Sequence, residues 1–110
     1  MPATAQQITP LMADALRLMT EAEDADLYED AEIVCDRSAC YIGFRPIARG
    51  TVNRLLQLMA ISDGGVGGEV YVINDTGRAL LRRPELAAEI QHALATGGAF
   101  TIENDRLVQI

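Results

Sequence analysis

Arg49, Asn53, Arg54 and Gln57 are the residues of this chain whose types and spacing suit recognition chemistry. Steps of three and four bring them to one side of a helix. A guanidinium fork matches phosphate and guanine edges, and the Asn and Gln amides match adenine. They lie in a window from Arg37 to Ser62 that holds four arginines and no acid. If this face meets duplex DNA, Arg37 and Arg45, just upstream, contact phosphates. The competing reading is a solvated helix face, polar only for solubility. The formal net charge of −7 favours that second reading.

Other chemistries are weakly signalled. Cys35 and Cys40 have no second pair, and the lone His92 is distant, short of the four ligands a structural zinc site needs. They read as small buried apolar residues; a disulfide across the turn is the less expected state in a reducing compartment. His92 shares a helix face with Glu85 and Glu89 and reads as a surface residue. The turn Gly64-Gly65-Val66-Gly67-Gly68 lacks the phosphate-loop pattern and follows a helix rather than opening one. No Ser or Cys sits in a nucleophile motif. The acidic run from Glu21 to Asp36 lacks the spacing and glycine of a calcium loop; it reads as solvated or as a surface for a basic partner. The expectation is a non-enzyme without cofactor or metal.

Six elements must position these residues. Ile8, Leu11, Met12, Ala15, Leu16 and Met19 predict a helix over 9–23, with Thr9 as N-cap and Pro10 at the first position. Residues 24–31 are acidic and weakly patterned, as in a solvated loop or a fraying helix end. Runs 32–35 and 40–44 predict a hairpin about Asp36-Arg37-Ser38. Val52, Leu55, Leu56 and Met59 predict the buried side of a helix over 49–60. Short strands 61–63 and 69–73 flank the glycine turn. Asn74 or Asp75 caps a further helix, interrupted at Pro84 and restarted through Leu86, Ile90 and Leu94 until Gly97-Gly98. The tail predicts a hairpin with an Asn104-Asp105-Arg106 loop, Phe100 facing Ile110 and Ile102 facing Val108.

The chain has 110 residues, enough for one domain spanning 1–110, and 49% hydrophobic residues with 5% aromatics imply an aliphatic core. No apolar run reaches the roughly 18 residues of a membrane span, and Met1 to Pro10 lacks the pattern of a signal peptide. A cytoplasmic location follows as an expectation.

The runs ITPLMADALRLM, IARGTVNRLLQLMAI and GEVYVINDTGRALL resemble bacterial winged helix-turn-helix proteins and small phage-type proteins of the same layout. In that family a Thr-Val pair opens the recognition helix, a hairpin wing follows, and a motif resembling Leu-Thr-Glu-x-Gly-Arg-x-x-Leu comes after the wing; here it is matched by Val72 to Leu80. The resemblance implies an α+β, winged-helix-like domain with an extra hairpin before the recognition helix and another at the C-terminus. It implies DNA binding by a small regulator, through Arg45, Arg49, Asn53, Arg54 and Gln57. The alternative is a winged-helix-like protein–protein module, a homodimer through residues 84–95 or the terminal strands, or an accessory protein.

Overall fold

The computed structural model describes residues 8–65 and 68–110. Expectations for Met1–Gln7 and for Val66-Gly67 lie outside the described residues.

Helix α1 (Pro10–Asp24) begins where the sequence predicts. The Met12 N–H donates to Thr9 Oγ1 at 3.2 Å, and Pro10 stands in the first turn. Its buried stripe is narrower than expected. Met12, Ala15, Leu16 and Met19 are inside, whereas Leu11 is 65% exposed. One residue is about 100° of helix, which carries Leu11 off the face that Met12 buries. A 3-10 turn at Tyr28–Ala31 crosses the acidic stretch expected to be a loop or a fraying helix end; buried Ala31 anchors it while Glu29 and Asp30 stay in solvent.

Strand β1 (Ile33–Cys35) pairs antiparallel with β2 (Cys40–Ile42), forming the expected hairpin. The chain then turns again. Gly43, at φ +59°, and Phe44 lead into β3 (Arg45–Ile47), which pairs back with Ile42 opposite Arg45. Reading 40–44 as one strand missed this, because a glycine with φ above zero at the first position of a two-residue turn reverses the chain. Pro46 is tolerated because β3 is the outermost strand. A β-strand therefore stands immediately before the next helix.

Helix α2 (Arg49–Gln57) is shorter than the predicted 49–60. It ends in a left-handed Met59, φ +58°, with Ala60 N–H donating to Leu55 O at 2.9 Å and Met59 N–H to Leu56 O at 3.0 Å. That is the double hydrogen bond of a Schellman cap. Val52, Leu55 and Leu58 are buried, and Met59, expected inside, is half exposed.

Strands β4 (Ile61–Asp63) and β5 (Glu69–Ile73) form the next hairpin, and β5 also pairs with β1, giving a five-stranded antiparallel sheet ordered β3-β2-β1-β5-β4. Asn74 joins three elements. It accepts the Gly77 N–H at 2.9 Å as N-cap of α3 (Asp75–Arg82) and donates to Met59 O at 2.8 Å and Ser62 Oγ at 2.7 Å. Arg78 then ties α3 to α1 through Glu23 and Asp24.

Helix α4 (Leu86–Ala95) buries Leu86, Ala87, Ile90 and Ala93, while Leu94 is 39% exposed. Steps of four overshoot the helical turn, so Leu94 lies about 80° round from Leu86, and Ala93, seven residues on, returns to the buried side. The terminal hairpin, β6 (Phe100–Glu103) and β7 (Arg106–Gln109), has a two-residue turn, and Phe100 faces Gln109 rather than Ile110. Asn104 and Asp105 both have positive φ, as a type I′ turn requires. This register puts Phe100, Ile102 and Leu107 against the core. These helices and antiparallel strands make a compact α+β fold with a 13.6 Å radius of gyration.

Two arginines dock that hairpin. Arg82 donates to both Asp105 oxygens, at 2.7 and 2.6 Å, and Arg83 donates to Asp105 O at 2.9 Å. The Arg82 hydrogen bonds hold the Asp105 carboxyl below its ordinary value of 3.8. Unfolded, Asp105 reverts to that value, so its contribution is present above it and is lost as pH falls through the lower folded value. Asp105→Asn should therefore be less stable than wild type at neutral pH, with the gap in urea midpoint closing below about pH 4. A gap that stays constant into acid would show that the carboxylate contributes nothing.

Candidate interaction surface

Helix α2 presents Arg49, Asn53, Arg54 and Gln57 to solvent, as its spacing predicts. Asn53, Arg54 and Gln57 have no ion pair or side-chain hydrogen bond among the described residues. Arg49 differs. Its guanidinium donates to Glu69 Oε2 on β5 at 2.9 Å, and also to the Asp36 carbonyl in the β1–β2 turn. Asp63 and Glu69 stand at the two ends of the glycine turn and are exposed. The hairpin beside α2 therefore brings the Glu69 carboxylate, not a cation, to the helix.

The Asp36 turn that receives Arg49 is well built. Asp36 Oδ1 accepts the Ser38 and Ala39 N–H groups at 2.8 and 2.9 Å and the Ser38 hydroxyl at 3.0 Å. Those bonds, the Ser38 and Ala39 N–H groups first, hold its carboxyl below the usual range, with Arg49 adding a smaller pull. Cys35 and Cys40 close the base of this turn. The register sets them directly opposite, Cα atoms 4.0 Å apart, and their sulfurs are bonded in a disulfide. Burial of both cysteines follows the sequence reading; free thiols do not.

Arg45 does not join the α2 face. It lies on β3 and lines two adjoining hollows between α1 and the β2–β3 turn. The outer hollow, about 390 Å³, is floored by Leu18, Ala22 and Ile42 and edged by Leu27 and Phe44. The inner one, about 190 Å³, runs on past Leu11, Ile47 and Thr51. Leu18, Ile42 and Arg45 belong to both. Phe44 is 97% exposed. Sequence reasoning misses this groove because helical spacing places Leu11 in the core stripe and the β-prone run 40–44 places Phe44 at the end of a strand; the signal available is the Gly43-Phe44 pair, a two-residue turn that puts an aromatic ring at its tip.

His92 is exposed on α4, as expected of a surface residue. No helix among the described residues is long and apolar enough to cross a membrane. Comparison of the chain with protein-family models, with curated proteins and with solved structures finds no match.

Proposed function

We propose that this chain is a small, non-catalytic protein-interaction module with a winged-helix-like arrangement, needing no cofactor; the Cys35–Cys40 disulfide argues against the cytoplasmic location that the sequence suggested. The observation that carries the reading is the engagement of Arg49 by Glu69 and the Asp36 carbonyl. One acid from the neighbouring hairpin, Glu69, and a backbone carbonyl occupy the cation that a DNA-reading helix would direct at phosphate, and a net charge of −7 opposes approach to a polyanion. The winged-helix likeness is supported by α2 running straight into the β4–β5 hairpin, with β1 on the far side of β5. Against it stands β3, which occupies the place of a support helix.

A second reading is DNA binding through Arg45, Arg49, Asn53, Arg54 and Gln57. It is favoured by the exposed, acid-free outer side of α2 and by the absence of any ion pair at Arg37, Arg45 and Arg54 among the described residues. Fluorescence anisotropy with a mixed-sequence duplex at about 50 mM salt separates the two, since non-specific DNA binders reach Kd values of roughly 10⁻⁴ to 10⁻⁶ M. The interaction-module reading expects no saturable binding in that range. Binding that weakens steeply with salt and is lost in Arg45→Ala and Arg54→Ala would replace it with the DNA reading.

A further inference from the structure

We infer that the groove between α1 and the β2–β3 turn is a docking site for a basic amphipathic helix of another protein. The inference rests on the reading of the chain as an interaction module and names the partner chemistry.

The groove is apolar along its length and open to solvent. Leu11, Leu27 and Phe44 are 65%, 55% and 97% exposed along its edges. None of the three has a role in the buried core that would explain its position. From Leu11 to Ala22 the α1 wall spans about 16 Å, or three helical turns, enough for anchors at i, i+3 or i+4, and i+7 of a docked helix. Strand addition is the poorer fit, because Pro46 removes a backbone donor from the free edge of β3.

Charge selects the occupant. Asp14, Glu21 and Asp30 line the two hollows against the single guanidinium of Arg45. The whole segment 14–30 carries seven carboxylates and one arginine, Arg17. Arg17 reaches Asp14 at 2.9 Å and Glu21 at 4.0 Å, but it is 54% exposed and one charge cannot neutralise two. Arg78 engages Glu23 and Asp24 on the other flank. Asp26, Glu29 and Asp30 have no ion pair among the described residues. An apolar floor with an acidic rim complements a helix whose apolar stripe is bordered by Lys or Arg. The same rim repels an anionic lipid surface.

The test uses the full chain and a fluorescein-labelled peptide of about 16 residues, with Leu at helical a/d spacing and Lys elsewhere. One control keeps the Leu stripe with Glu for Lys; the other keeps Lys with Ser for Leu. The Lys/Leu peptide should bind at least about tenfold more tightly than either control, and more weakly as salt is raised. Phe44→Ser and Leu11→Ser, both at exposed positions, should each weaken it by about tenfold, as should Asp14→Asn with Glu21→Gln and Asp30→Asn. Val108→Ser, on the terminal hairpin and outside the lining of both hollows, should leave it unchanged. Equal binding of all three peptides, or binding indifferent to the groove substitutions, overturns the inference. So does a wild-type dimer that becomes monomeric with Phe44→Ser, since the occupant is then a second copy. Peptide failure with no DNA binding sinks only this docking site; salt-sensitive DNA binding sinks the interaction-module reading beneath it.

Discussion

Gly77→Ala should destabilise the protein by about 3 kcal/mol or more, although alanine is the better helix former by about 1 kcal/mol. Gly77 lies in the first turn of α3, at the point where that helix presses on the end of the α2 segment. A Cβ there would stand 2.3 Å from the Ala60 carbonyl oxygen, 2.7 Å from Ile73 Cγ1 and 3.2 Å from Leu16 Cδ2. Ile73 and Leu16 could shift a rotamer. The Ala60 carbonyl cannot, because it is backbone and accepts the Asn74 N–H at 3.3 Å beside the helix cap. Relief would require α3 to back away, opening contacts with α1 and β5. Urea unfolding reads the effect directly. Leu16→Ala on the Gly77→Ala background should not restore stability, since the tightest approach is unaffected. A midpoint equal to wild type would show that the Ala60 carbonyl leaves room for a side chain at position 77.

Leu16→Ala alone should cost about 3 to 5 kcal/mol, a large share of the roughly 5 to 15 kcal/mol by which such domains are stable. Leu16 is fully buried in the middle of α1, and its Cδ2 lies beside Gly77 of α3. Truncation leaves a void inside a cluster of fully buried side chains that includes Met12, Met19 and Leu80, and close packing limits collapse into it. Leu11→Ala is the matched comparison. It removes the same atoms from the same helix, but at a position 65% exposed, and should shift stability by no more than about 0.5 kcal/mol. A comparable loss from both would show that Leu11 is a core residue and not a wall of the open groove.

Those two leucines mark how far the sequence could be read. Helical spacing assigned both to one stripe, and a stripe read from periodicity is wider than the strip that a particular neighbour covers. Thr9-Pro10 located the start of α1 because capping is local chemistry, satisfied within one turn. Asn74 was legible as a cap for the same reason, but its bonds to Met59 and Ser62 were not, since both partners are more than ten residues away. The terminal hairpin was legible as a hairpin, yet its register was misread. Matching apolar pairs favoured a three-residue loop, whereas two left-handed residues and the Arg82 clamp on Asp105 set a two-residue turn.

The candidate site divides similarly. The polar side of α2 follows from spacing alone, so Arg49, Asn53, Arg54 and Gln57 could be placed together and outside. What each then meets depends on strands far along the chain. Glu69 reaches Arg49 only because β5 lies between β1 and β4, and Arg45 turns toward α1 only because Gly43 reverses the chain and makes β3.

By itself, the sequence determined the local elements of this protein: where helices begin, which residues favour strands, which face of α2 is polar, and an acidic charge concentrated before Asp36. Capping, turn preference and periodicity act over a few residues, and so they are written in neighbouring side chains. Only the tertiary structure decided strand order, the extra strand β3, the bonding of Cys35 to Cys40, the capture of Arg49 and the open groove beneath Phe44. Each of these depends on which distant surfaces come into contact, and that is settled by packing the whole core at once.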